Sequence, residues 1–174
     1  ILDIEDLSRP RMVSRLDWSP PYPCPTHTAL RIPHKLAGRD FLAVTDEEVD
    51  DRLARWPSAF FWMVDITDET RPVPVATYQL PGGEDYPPGE GYGAHQPQEQ
   101  VYDDILCVTW FSGGLRVLNI SDPYHPREVG HHMPPIGAGA DRPCSNDVFM
   151  DPERRIYLLD RYSGFEILEL KDGA

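Results

Sequence analysis

Four segments of this 174-residue chain repeat one pattern: Ile1-Leu-Asp-Ile4, Met63-Val-Asp-Ile66, Val117-Leu-Asn-Ile120 and Ile167-Leu-Glu-Leu170. In the first three, an Asp follows the closing Ile at +2 (Asp6, Asp68, Asp122) and a Pro at +6 (Pro10, Pro72, Pro126). Another extended stretch comes next: Met12-Val13, residues 73–78, and Glu128-Val129. The physical unit is strand, tight turn, strand. The apolar run packs in a sheet, the Asp caps a turn by accepting from nearby backbone N–H groups, and the Pro fixes φ as the chain becomes extended again. Two residue types at fixed offsets in three places make chance a poor explanation, and internal repetition at this spacing points to a repeat architecture.

Each repeat has an earlier half. Phe41-Leu-Ala-Val44, Ile105-Leu-Cys-Val108 and Ile156-Tyr-Leu-Leu159 are short apolar runs that read as buried strands. Before them lie extended segments starting near His27, His95 and Asn146. Gly113-Gly114 and Gly164 supply the hairpins into the following strand. The unit is therefore four strands in roughly 45–60 residues, near the blade period of β-propellers. The expected fold is all-β: a partial β-propeller of four-stranded antiparallel blades. Residues 1–20 end one blade, 26–80 form a second, 94–133 a third, and 144–170 an incomplete fourth. Within the second, Val49, Leu53 and Trp56 recur at i, i+4 and i+7, which predicts a helical insertion over 46–57 ended by Pro57. The Gly/Pro-rich, acidic stretch from Pro81 to Gly93 reads as an exposed loop. Propellers close with about four to eight blades, so missing sequence, another chain or self-association is expected to complete the ring. The abrupt start at Ile1, inside a strand, fits a fragment or a processed chain.

Nineteen Pro and 13 Gly fit many short strands joined by turns and disfavour long helices. The net charge of −13 argues against nucleic acid and anionic membrane surfaces, both of which require a basic face. No apolar run approaches the ~20 residues of a membrane helix, so a soluble protein is expected, with cytoplasmic and periplasmic or secreted compartments both open. Cys24, Cys107 and Cys144 form no CxxC pair and make no disulfide framework.

The stretch from Ile105 to Gly130, Ile-Leu-Cys-Val-Thr-Trp-Phe-Ser-Gly-Gly-Leu-Arg-Val-Leu-Asn-Ile-Ser-Asp-Pro-Tyr-His-Pro-Arg-Glu-Val-Gly, resembles the LVIVD-repeat β-propellers. It is also similar, more distantly, to the selenium-binding-protein family, whose members include copper-dependent methanethiol oxidases. The resemblance implies a propeller and, through the distant relatives, copper and oxidoreductase chemistry. One fold hosts many chemistries, however, so the site must carry the function.

Blade geometry places a site independently. In an up-and-down sheet the first strand starts at the end where the second finishes, and the first strand lines the channel. His27, His95 and Asn146 thus fall at one mouth, joined by Asp46, Glu47 and Glu48 from one unit, Trp110 and Phe111 from the next, and Arg161 and Tyr162 from the third. Two imidazoles and a carboxylate suit Zn²⁺, Cu²⁺ or Fe²⁺ with open positions left for substrate. His27 and His95 are the expected metal ligands, Glu47 a third ligand or a base, and Arg161 and Tyr162 the contacts to a small-molecule substrate. The structural alternative is that both histidines simply bond neighbouring backbone.

Other candidates are weaker. His131 and His132 are adjacent in a strand and point to opposite faces. His34 and His125 fall in turns, and Cys107 in an apolar core strand. Cys24 and Cys144 precede first strands and read as small buried thiols. The acidic run 46–51 reads as a solvated helix start. Asn119-Ile-Ser121 fits a glycosylation acceptor. GxSxG, HExxH and P-loop signatures are absent, and Gly89, Gly91 and Gly93 lack the strand-to-helix context of a dinucleotide site. Three function classes remain: a metal-dependent oxidoreductase, a non-catalytic scaffold for protein partners, and a hydrolase or lyase using the same polar ring.

Overall fold

A computed structural model of the protein describes residues 1–19, 21–49, 59–82 and 91–171. Every regular element among them is a strand: β1 (Leu2–Asp3), β2 (Arg11–Met12), β3 (Thr26–Arg31), β4 (Phe41–Asp46), β5 (Phe61–Asp65), β6 (Val73–Tyr78), β7 (Ala94–Pro97), β8 (Ile105–Trp110), β9 (Gly114–Asn119), β10 (Arg127–His132), β11 (Ser145–Met150), β12 (Arg155–Asp160) and β13 (Gly164–Glu169). They form antiparallel sheets in the orders β1-β2, β3-β4-β5-β6, β7-β8-β9-β10 and β11-β12-β13. No described helix is long and apolar enough to cross a membrane. The helix expected over 46–57 falls largely outside the described residues; its first residue, Asp46, ends β4, and 47–49 are non-helical. The middle of the expected loop, 83–90, also lies outside them.

The repeated Asp works as a turn cap. Asp6 accepts the Ser8 N–H at 3.0 Å, Asp68 the Thr70 N–H at 3.0 Å, and Asp122 the Tyr124 N–H at 3.0 Å. Side-chain donors from Ser8, Thr70 and His125, together with these backbone bonds, hold all three carboxyls below the ordinary range. A second cap sits inside the apolar run, at its third residue: Asp3, Asp65 and Asn119 accept from Glu5, Thr67 and Ser121 N–H at 3.0, 2.9 and 2.9 Å. Pro74 is tolerated because β6 is an edge strand, beside a register shift between Met63 and Val64.

The sheets are arranged as blades of a partial propeller. The first strand of each blade packs on the first and second strands of the one before: β7 against β3 and β4, β11 against β7 and β8. Between the two four-stranded blades lies a core of Phe41, Phe61, Met63, Leu106, Trp110 and Leu118 among others. Between the second and the three-stranded blade, Cys107, Leu115 and Val117 meet Val148, Met150, Ile156 and Leu158. Inner strands β4, β5, β8 and β9 are covered on both faces, which is why they read as continuous apolar runs. The last sheet differs. Phe149, Leu159, Phe165 and Ile167 lie exposed on the face equivalent to the one that β11 covers in the preceding blade.

Candidate metal centre at the channel mouth

Each first strand opens with a bulge, and the bulge carries the candidate residue. The register slips between Thr26 and Thr28 around His27, between Ala94 and Pro97 around His95, and between Ser145 and Asp147 around Asn146. A bulge takes one residue out of the ladder and re-aims its side chain. Here it turns His27 and His95 towards each other, with ring centroids 4.2 Å apart. Glu47, the first residue past β4, meets both: its carboxylate is 3.9 Å from His27 Nε2 and 3.5 Å from His95 Nε2.

Hydrogen bonding fixes which imidazole nitrogens are available. A carbonyl can only accept, so His95 Nδ1–H donates to the Asn146 carbonyl at 2.6 Å. Thr28 Oγ1 donates to Gln96 Oε1 at 2.9 Å, which leaves it to accept from His27 Nδ1–H at 2.8 Å. In the neutral form each ring therefore presents a bare Nε2 towards Glu47. Burial, aided by the nearby His27 and Arg161 and opposed by the bond to Asn146 and the Glu47 carboxylate, holds the His95 imidazole below its ordinary pKa. That favours the neutral, ligating form.

His27, Glu47 and His95 make a group whose ligand atoms all lie within 4.8 Å of one another, and it can hold a metal ion. First-row dications with bonds of about 2.0–2.2 Å hold tetrahedral ligands about 3.3–3.5 Å apart; the Glu47–His95 pair already stands at 3.5 Å. Two nitrogens and one carboxylate leave open coordination positions, as a catalytic rather than a closed structural site requires. The backbone bond expected under the structural alternative is also present at His95, but it occupies only Nδ1.

The stack continues beyond the histidines. The Phe111 ring lies 4.4 Å from His95, and the Arg161 guanidinium 5.0 Å from the Phe111 centroid. Arg161 Nε donates to Asn146 Oδ1 at 2.6 Å. Glu47, Phe111 and Arg161 each follow the last residue of their blade's second strand, so repeat-equivalent positions converge here. With Glu48, Tyr162, Arg142 and Cys144 they line a cavity of about 280 Å³.

Not every residue expected at the mouth faces it. Asp46 is fully buried beside the cluster of Phe60, Trp62, Trp18 and Tyr22, accepting from the Phe60 N–H at 3.1 Å and Trp62 Nε1–H at 2.7 Å. Trp110 points into the interblade core and donates to Gln79 Oε1 at 2.9 Å. The reason is the strict alternation of side chains along a strand, which reverses only after β4 and β8 end. His131 and His132 pair separately with Glu128 and Glu166, each at 3.0 Å. His125 stays in its turn beside Asp122, whereas His34 is half-buried and reaches Asp104 at 2.8 Å across to the next blade. Cys24 and Cys107 are buried and Cys144 is half-buried, and none of the three is in a disulfide.

The supporting residues had no sequence signal of their own. Thr45 Oγ1–H donates to the His95 carbonyl at 2.6 Å, and Thr109, its repeat equivalent, lies 3.1 Å from the Asn146 carbonyl. Asp160 holds the turn behind Arg161 by accepting from the N–H groups of Cys144, Tyr162 and Ser163. Alignment of the repeats, with Thr immediately before the end of two second strands, was the available clue.

Compared with known proteins, the chain matches no family model and no curated relative.

Proposed function

We propose that this chain carries the metal centre of a metal-dependent oxidoreductase at the mouth of a β-propeller channel. His27 and His95 bind the ion through Nε2, Glu47 supplies the third ligand, and Arg161 and Tyr162 contact a small-molecule substrate. The observation that carries the reading is the convergence of two bare Nε2 atoms and a carboxylate from two blades. A bound copper or iron ion supplies one-electron chemistry, and zinc Lewis acidity alone. Copper is the first ion to test, because residues 105–130 resemble LVIVD-repeat propellers and, more distantly, a family with copper-dependent oxidases. In this reading another chain, self-association or further sequence completes the ring over the exposed face of β11–β13.

The test is metal analysis of the purified protein after exposure to Cu²⁺, Zn²⁺ or Fe²⁺ and exhaustive dialysis. The wild type is expected to retain about one equivalent of a first-row ion, and a His27→Ala/His95→Ala double variant none. No retained metal in the wild type, or equal retention in the variant, removes the metal centre and leaves the scaffold reading. A copper or iron centre that does not cycle between oxidation states under mild reductant favours hydrolase or lyase chemistry instead.

A further inference from the structure

We infer that the substrate of this centre carries a terminal oxyanion (a carboxylate, sulfonate or phosphate) and that Arg161 grips it in the cavity beside the metal ligands. The inference rests on the metal-centre reading and adds the substrate class to it.

The first ground is the environment of Arg161. The chain carries 29 acidic residues against 16 basic ones. Accordingly most guanidiniums sit on carboxylates: Arg31 on Asp40, Arg39 on Asp65, Arg116 on Glu128, Arg154 on Asp103, Arg155 on Asp151. Arg161 has no carboxylate partner among the described residues. It is held instead by neutral groups, the Asn146 amide oxygen on Nε and the Phe111 face beneath its plane. Such partners fix a guanidinium without neutralising it. They occupy Nε and one face, leaving the two Nη groups as a pre-set fork for an oxyanion.

A second ground is that the same residue aims both ends of the site. Asn146 accepts from His95 Nδ1–H with its backbone carbonyl and from Arg161 Nε–H with its side chain, each at 2.6 Å. The ligand ring and the guanidinium are thus set relative to each other through one residue and through the Phe111 ring between them. A molecule gripped by Arg161 therefore shares one cavity with the Glu47 carboxylate.

A third ground is charge balance in the cavity. Of its two glutamates, Glu48 accepts the Gly91 N–H at 3.2 Å, and Glu47 faces the histidines. A dication on Glu47 offsets part of the negative charge that opposes an incoming anion. Metal loading and anion binding should therefore reinforce one another.

The full chain is titrated, with and without one equivalent of Zn²⁺, using propionate, methanesulfonate and inorganic phosphate, and with propionamide as the neutral isostere. Binding is read from the ¹H–¹⁵N shifts of Asn146 and the Arg161 side chain. At least one oxyanion should bind tenfold or more tightly than propionamide, because its bond to the guanidinium is charge-assisted, and more tightly with Zn²⁺ than without. The tightest of the three names the group. Arg161→Gln should abolish the preference while Zn²⁺ stoichiometry is unchanged; Arg161→Lys should keep only part of it. Equal affinity for anions and amide overturns the inference, and so does a preference that survives in Arg161→Gln, since the ion or Arg142 on the same cavity wall would then hold the anion. Failure of the wild type to bind Zn²⁺ counts against the metal centre, and the metal-free titration still decides the anion grip.

Discussion

Thr45→Val tests whether the seam between blades positions the proposed metal ligands. The substitution is nearly isosteric and removes one hydroxyl. Thr45 is fully buried, and its Oγ1–H donates at 2.6 Å to the carbonyl of His95, a residue that the bulge has taken out of the paired register. Without that donor a buried carbonyl loses its partner, at a cost of about 1–3 kcal/mol. For a domain of this size each kcal/mol lowers Tm by about 2–4 °C, so thermal unfolding should fall by several degrees. Thr45→Ser keeps the hydroxyl and should stay within about 1 kcal/mol of the wild type. The bulge that aims His95 also loosens, so metal affinity should drop about tenfold, as for other outer-shell orienting groups. Differential scanning calorimetry and competitive metal titration measure the two effects. If Thr45→Val matches Thr45→Ser in both, the hydroxyl does not hold the bulge and the account of how His95 is aimed is wrong.

Asp46 should give the stability an unusual pH slope. Burial raises its carboxyl to about 6, against the lowering effect of Trp62 and the Phe60 N–H. The folded state then binds more protons than the unfolded one between the ordinary carboxyl value of 3.8 and about 6, so this group's contribution to stability falls as pH rises through that window. Asp46→Asn should flatten this component in urea titrations repeated from pH 4 to 7; an unchanged slope refutes it. His95, held low by burial, contributes with the opposite sign: its share is intact above the ordinary imidazole value of 6.5 and is lost as pH falls below it, which His95→Gln should abolish. Gly137→Ala drives a Cβ into the backbone of Tyr162 and should cost about 1–3 kcal/mol, with shift changes at Arg161 and Tyr162 in ¹H–¹⁵N spectra; silent spectra at both would contradict the packing. Burial pushes the Cys107 thiol up to about 12 and also raises that of half-buried Cys144. Mass-resolved alkylation of the folded protein should label Cys144 well before Cys107, and the reverse order is incompatible with the fold.

The repeated apolar runs with Asp at +2 and Pro at +6 determined the strands, their turns and the all-β class, because each depends on local chemistry. Apolar stretches need burial, Asp caps the next N–H groups, and Pro fixes φ. The blade geometry also put His27, His95 and Glu47 at one end of the sheets, since up-and-down strands return to where they began. Tertiary structure decided the rest. Alternation along β4 and β8 sent Asp46 and Trp110 away from the mouth, and only three bulges brought the remaining side chains round to face one another. A bulge is a relation between two strands, so neither strand's sequence records it alone. The same holds for the Asn146 carbonyl that assigns the His95 proton and for the Phe111 face under Arg161: both lie on neighbouring blades, dozens of residues away, and come into reach only when the sheets pack.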